Sequence, residues 1–539
     1  MPLVLVFLPV ALLYFAGYRV YGRVVARRLA VDPSRPTPAC DKEDGCDFIP
    51  TKKGLLFAQH FSAISAAGPI VGPILAALWF GWLPAILWIA LGCVFMGAAH
   101  DFAALVASVR HDARSVAQVM REHMGRPAFL MFLSFIWIAL LYVIVAFTDI
   151  TASEFTHAEF GGTVTTSSLL YLGLAVGLGL VLKARAASLW VVGPVAGALL
   201  LAAIWVGQWA PIELPSWAAA LTGGNPRKAW DLVILGYCFV AAILPMWLLL
   251  QPRGFLGGFL LYGFLAAGLG GVLLGGFSVR TPAFLGWTSE GHGPLFPILF
   301  VTIACGACSG FHGLVCSGTT SKQLSTEKDA HLVGYGAMLA EGLVAVIALS
   351  TVMMGTTGTR PDEIFAGGIA RFLEVFGIPR GFAMTFGFLA LTTFIYDTLD
   401  VTTRLGRYIL QELFGWSGRW GRIWATAATV IPAGYFLMAL PNDAYAAVWS
   451  LFGTSNQLLA ALTLTGITVW LVRTGRNPAV ALYPLLFLIA VTGTSLVQHV
   501  AYGTGIIQVS AAILFVLAVA IVWMAIRAVR AARRVTAPA

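Results

Sequence analysis

Glu341 lies well inside an apolar run, within Tyr335-Gly-Ala-Met-Leu-Ala-Glu-Gly, where a carboxylate is too costly to leave facing lipid. A carboxyl withdrawn from water can carry a proton near neutral pH, so Glu341 is a candidate proton carrier; the competing reading is a structural carboxyl hydrogen-bonded between helices. His100 and Asp101 offer an imidazole and an acid for shuttling protons, or a single structural hydrogen bond. Asp397, Asp400 and Arg404 follow i, i+3, i+7 spacing and so share one helical face. An Asp400–Arg404 pair there is either a static bridge or an inner gate that breaks when a cavity opens. His60 stands just ahead of an interrupted segment and is a candidate for the wall of a permeation route.

That segment, Ser62-Ala-Ile-Ser65-Ala-Ala-Gly68-Pro69-Ile-Val-Gly72-Pro73, cannot form an undisturbed helix. Pro69 and Pro73 lack N–H groups, which frees the carbonyls of Ser65 and Pro69, and the glycines allow non-helical dihedrals. Without water, freed backbone groups are tolerated where they line a cavity. A second interruption is predicted at Leu244-Pro245, where Pro245 frees the carbonyl of Ala241. Ser65, Gly68, Pro69, Gly72, Leu244 and Pro245 are therefore candidate substrate-binding residues. Exposed helix N-termini would face a carboxylate, and freed carbonyls an ammonium or a cation.

The run Cys305-Gly-Ala-Cys308-Ser309-Gly-Phe-His312-Gly-Leu-Val-Cys316-Ser-Gly-Thr319-Thr320 places a polar stripe on one face of a ninth span. Ser309, His312, Thr319 and Thr320 can present polar atoms to a substrate or cation, while small residues in such stripes also serve close helix packing. Cys305 with Cys308, and Cys40 with Cys46, form two short-spaced pairs whose thiolates suit zinc or an iron–sulfur cluster. Topology separates the two pairs unless the N-terminal segment re-enters the membrane. Asn456 and Gln457 lie in a thirteenth span, where they read as interhelical glue.

The elements that must hold these groups are indicated by composition. A chain of 539 residues with 59% hydrophobic and 11% charged residues and a mean hydropathy of +0.85 is excluded as a soluble globular, disordered or disulfide-framework protein. Apolar runs longer than about 17 residues recur about fifteen times, which predicts an all-α polytopic membrane protein whose partner is the lipid bilayer. The runs divide into a first span with a polar segment (1–59), five spans (60–209), five more (229–403) and additional C-terminal spans (404–539). The interrupted segments open the two groups of five, and an odd number of spans inverts the second copy. The prediction is an inverted five-plus-five repeat with a site between the second and seventh spans. Alternating the loops from an external N-terminus puts all but Arg227, Lys228, Arg280, Arg360, Arg371 and Arg380 of the 33 Lys and Arg on one side. By the positive-inside rule that side is cytoplasmic, with the C-terminus inside. The net charge of +9 is then membrane anchoring, and nucleic acid is excluded as a partner.

The stretches FAQHFSAISAAGPIVGPILAA (57–77), GAAHDF (97–102), LPMWLLLQPR (244–253), SGFHGLVCSGTTSKQL (309–324), TLDVTTRLGRYILQE (398–412) and LFGTSNQLLAA (451–461) resemble the carbon starvation protein family, CstA. The resemblance covers nearly the whole chain. It implies a LeuT-like fold among the amino acid, polyamine and organocation transporters, residence in the bacterial inner membrane, and uptake of small molecules, peptides or pyruvate, driven by protons. The sequence contains no phosphate-binding GxxxxGK[ST], HExxH or GxSxG motif, which points away from ATP hydrolysis and from an enzyme. Two other readings stay open: a membrane redox or metal-sensing protein built on the cysteines, and a passive channel.

Overall fold

The computed structural model describes residues 1–44, 48–184, 189–442 and 444–536. The helices used below are α1 (Val4–Arg28), α2 (Lys53–Ile64), α3 (Gly68–Phe80), α4 (Trp82–Arg110), α5 (Val116–Met124), α6 (Arg126–Phe155), α7 (Gly161–Ala184), α8 (Leu189–Trp209), α9 (Pro226–Ile243) and α10 (Leu250–Leu274). They continue as α11 (Leu295–Thr302), α12 (Ala304–Ala307), α13 (Gly310–Gly318), α14 (His331–Met353), α15 (Pro361–Glu374), α16 (Arg380–Phe414), α17 (Gly418–Ala439), α18 (Ala444–Arg473), α19 (Ala479–Tyr502) and α20 (Gly505–Thr536). A two-stranded antiparallel ribbon, Thr288–Ser289 against Gly293–Pro294, precedes α11.

Among the described residues, eleven helices are long and apolar enough to cross a membrane, and α2 with α3, bent by 47° at their break, pass the same test together, which gives up to twelve spans if the pair counts as one. Large apolar side chains face outward along them, such as Leu12 and Phe15 on α1 and Val516 on α20, as lipid contact requires. This is a multi-pass, helical membrane protein. The sequence predicts fifteen spans, and three of those regions do not meet the same standard. α9 carries Arg227, Lys228 and Asp231 in its opening turns. α17 is diluted by Arg422, Thr426, Thr429 and Pro432. The ninth predicted span, 294–317, is broken into α11, α12 and α13.

The chain divides into two compact units. One comprises Met1–Val4, Leu140–Thr281 and Ser350–Trp449; it holds α7 to α10, α15, α16 and α17. Aromatic packing of Phe264 on Phe365 and Phe394 joins α10, α15 and α16 there. The other comprises Leu5–Ala139, Pro282–Leu349 and Ser450–Ala539, and it holds the broken helices α2/α3 and α11–α13.

Each break is marked by a local departure from helical dihedrals. Ser65 leaves the helical region (φ −77°, ψ 71°) and ends α2. Pro69 then falls in the first turn of α3, where a missing N–H costs nothing. Ile303 (φ −99°, ψ 43°) ends α11, and extended Cys308 (φ −163°, ψ 108°) ends α12. The Pro245 interruption is real but placed differently from the sequence prediction. α9 is 18 residues long, about 27 Å, and ends at Ile243, so Pro245 lies in the connection to α10 rather than midway along a span.

Candidate functional site

Two broken helices meet in the second unit. A Cβ on Gly68 would strike the Cys305 side chain, and one on Gly72 would strike the Thr302 carbonyl, so α3 lies directly on the backbone at Thr302 and on the side chain of Cys305, an approach that glycine permits. On the far side of the ninth-span break, Gly310 approaches the backbone of Asn456 and Ala460 on α18. The break is thus clamped between α3 and α18.

The backbone groups that the break releases are satisfied by side chains remote in sequence. The Phe300 carbonyl accepts from Gln457 Nε2 (2.8 Å) and Trp88 Nε1 (3.2 Å), and the Gly306 carbonyl accepts from Cys93 Sγ (3.0 Å). Asn456 caps α13: its Oδ1 accepts from the Phe311 N–H (3.0 Å), and its Nδ2 donates to Ser309 Oγ (3.0 Å) and Cys305 Sγ (3.2 Å). Asn456 and Gln457 do join helices, and they do so at the break.

Beside this break runs a chain of buried acids and imidazoles. His100 Nδ1 lies 2.7 Å from Asp101 Oδ1, His312 Nδ1 lies 2.9 Å from Asp101 Oδ2, and His312 Nε2 lies 3.2 Å from Glu341 Oε2. Glu341, His312, Asp101 and His100 are all buried, and Glu341 Oε1, His100 Nε2 and Ser65 Oγ are buried with no hydrogen-bond partner among the described residues. His312 comes from α13, Asp101 from α4 and Glu341 from α14, so breaking the ninth span aims His312 at both carboxylates. π-helical turns at Cys93–Gly97 and His331–Gly336 precede Asp101 and Glu341. One inserted residue rotates the remainder of its helix by about 100°, which sets the face these acids present. The Tyr335 hydroxyl donates to the Val94 carbonyl (2.9 Å), tying the two π turns together. His60 Nδ1 lies 2.8 Å from Thr320 Oγ1, just past the end of α13, whereas the Thr319 hydroxyl turns back to the Val315 carbonyl (3.1 Å).

The structure therefore gathers Ser65, Gly68, Pro69, Gly72, Ser309, His312, Glu341, His100 and Asp101 into one unit. Leu244 and Pro245 belong to the other. There the carbonyl freed by Pro245 is indeed Ala241's, and Arg404 Nη2 donates to it (2.7 Å) and to the Leu244 carbonyl (2.8 Å). The predicted Asp400–Arg404 pair is replaced. Asp400 pairs with Arg253 and accepts from the Tyr237 hydroxyl (2.8 Å), and Arg253 Nε also donates to Asp397 (2.8 Å). A cation from another helix wins the carboxylates, leaving Arg404 to cap the carbonyls. Arg253, counted in the sequence among the topological charges, is fully buried; its signal was its place in LPMWLLLQPR.

Among the described residues, no group of three metal-ligating side chains includes a cysteine. Cys305 accepts from Asn456, Cys308 is buried at the break, and exposed Cys40 donates to the Ser325 carbonyl (3.6 Å), while Cys46 lies outside the described residues. Among the described residues, the group of three ligand atoms within 4.8 Å of one another is His111, Glu122 and His123, which contains no thiol.

A family model described as carbon starvation protein CstA matches residues 2–359 and 350–495. The chain belongs to the carbon starvation protein CstA family. The peptide transporter CstA of Escherichia coli (strain K12) is 34% identical over 560 residues, covering 90% of this chain and 79% of that protein. The pyruvate/proton symporter BtsT of the same organism is 32% identical over 573 residues, covering 89% and 79%. Among solved structures, a manganese transporter from Eremococcus coleocola superposes over 91% of this CstA family chain and 99% of its own, with a TM-score of 0.45 and 15% identity.

Proposed function

We propose that this chain is a secondary active importer of a small organic nutrient, a peptide, an amino acid or pyruvate, working by alternating access and driven by protons. The observation that carries the reading is the buried Glu341–His312–Asp101–His100 chain beside the paired helix breaks. An acid in a dry interior is retained when it is paired or when it works, and alternating carboxyl and imidazole groups can take up and pass a proton. The breaks supply what a zwitterion or carboxylate needs, the N-terminus of α3 for the anion and backbone oxygens for a cation. The named activities of the relatives, peptide transport and pyruvate/proton symport, support the same reading.

The proposed frame is a pair of inverted LeuT-like repeats embedded in about fifteen spans, with the N-terminus periplasmic and the C-terminus cytoplasmic in the bacterial inner membrane. It departs from the boundaries 60–209 and 229–403 by taking α11–α13, in place of the seventh span, as the second interrupted helix. Counting α2/α3 as one span and including the charged α9 as another, seven spans run from α2/α3 through α10, an odd number, so the second copy would still run oppositely. Substrate would contact Ser65, Gly68, Pro69, Gly72, Ser309 and His312; Arg253, Asp397, Asp400 and Arg404 would brace the other unit during gating.

Purified protein in proteoliposomes, given an inward proton gradient and labelled pyruvate, alanine or a dipeptide, tests this directly. For one proton per substrate, each pH unit of gradient is worth about 1.4 kcal/mol and should support about tenfold accumulation. Uptake that only equilibrates would mark a channel, and no uptake of any of the three would overturn the proposal.

A further inference from the structure

α4 ends at Arg110, and the next residues turn the chain sharply: Asp112 (φ 63°) and Ala113 (φ 56°) are both left-handed although neither is glycine. Such a conformation persists when its surroundings enforce it. Here the Ser108 hydroxyl donates to the Arg114 carbonyl (2.7 Å), and the Ala113 N–H donates to the Ser108 carbonyl (2.9 Å). Ser115 then caps α5, accepting from the Gln118 N–H (3.3 Å). The result is that His111, at the end of α4, faces His123, near the end of α5, with their Nε2 atoms 2.8 Å apart. Glu122 brings a carboxylate oxygen within 4.8 Å of both.

We propose that His111, Glu122 and His123 form a binding site for a divalent transition ion of the zinc class, with three protein ligands and a fourth position open to water. Two imidazoles and one carboxylate are a ligand set that suits zinc. Metal-binding histidines fix their tautomer by donating the other ring N–H to a carbonyl or carboxylate. His111 Nδ1 lies 2.6 Å from the Ala107 carbonyl, which makes Nδ1 the protonated nitrogen and turns the Nε2 lone pair toward His123. Two nitrogens on one tetrahedral zinc ion sit about 3.3 Å apart, so the rings need only separate by about half an ångström. His111 is buried, whereas His123 is half-buried and Glu122 exposed, giving an ion access from the aqueous side. The site involves none of the groups assigned to transport, and bound metal would pin α5 to the end of the helix that carries His100 and Asp101.

The test is titration of full-length, tag-free protein in detergent with Zn²⁺ by calorimetry and with Co²⁺ by visible absorption. One equivalent of Zn²⁺, a tetrahedral Co²⁺ spectrum and a metal-dependent rise in the thermal midpoint are expected. Glu122→Gln should weaken binding by at least about tenfold and His123→Ala by more, both keeping the metal-free midpoint, while Cys40→Ser/Cys46→Ser should bind as the parent does. Absence of binding to the parent protein, full binding by both ligand variants, or loss of binding in the cysteine variant would each overturn the proposal.

Discussion

The approach of α3 to the ninth-span break can be tested one atom at a time. Adding a Cβ at Gly68 puts it against both Cys305 Sγ and Cys305 Cβ, the latter at 2.6 Å, far inside van der Waals contact. Cys305 Sγ is held by Asn456 Nδ2 at 3.2 Å, so the obstacle is not a free side-chain end. Overpacking of this kind costs about 1–3 kcal/mol. Gly68→Ala should lower the thermal midpoint, and if the two breaks must approach in each transport cycle, uptake should fall by about tenfold for each 1.4 kcal/mol. Rescue should be graded by atom. Cys305→Ala removes only the sulfur and leaves the 2.6 Å contact, whereas Cys305→Gly removes both obstacles. The expected order in both assays is parent, Gly68→Ala/Cys305→Gly, Gly68→Ala/Cys305→Ala, then Gly68→Ala, with a coupling of about 0.5–3 kcal/mol. Proteoliposome uptake normalised to inserted protein and thermal unfolding in detergent supply the two readouts. A Gly68→Ala protein identical to the parent in both, or a Cys305→Gly change that fails to improve it, would refute the packing argument.

Two other outcomes are expected at named groups. Glu341→Gln keeps the shape of a buried side chain but removes its proton, so gradient-driven accumulation should vanish while exchange of labelled for unlabelled substrate continues; accumulation that survives would remove Glu341 from the coupling path. Arg404→Met strips the buried Ala241 carbonyl and the part-buried Leu244 carbonyl of their donor, at about 1–3 kcal/mol for the buried one, and an unchanged thermal midpoint would show that they find other partners.

Helices were legible because each span carries its own apolar length, a property of contiguous residues. The first break was legible too, since Gly68-Pro69 and Gly72-Pro73 write it locally. At Pro245 the local signal was right about the freed Ala241 carbonyl and wrong about its depth. Depth depends on where α9 begins: Asn225 caps it and Pro226 opens its first turn, so its 18 residues are complete before Pro245 is reached. The ninth span was misread as continuous because Ala304-Cys-Gly-Ala-Cys-Ser-Gly is compatible with helix and with a break, and nothing within those residues decides between them.

The deciding groups lie elsewhere in the chain. A break here needs an acceptor for the Phe311 N–H and donors for the Phe300 and Gly306 carbonyls. Asn456, Gln457, Trp88 and Cys93 supply them from helices far away in sequence. With Asn456 or Cys93 absent, or with Gln457 and Trp88 absent together, a backbone group at the break would lose its partner and the continuous helix would regain its advantage. The same holds for the acids. Spacing placed Asp400 beside Arg404 on one face, but spacing says nothing of Arg253 arriving from α10, and a fully buried guanidinium must find carboxylates or not be buried at all. Asp101 and Glu341 were recognised by type, yet their meeting through His312 required two π turns and a broken helix, each of which resets the periodicity from which a shared face is inferred. Chemistry-bearing residues are thus readable one by one from an apolar sequence; their assembly is specified by the distant side chains that make irregular backbone tolerable in a dry interior.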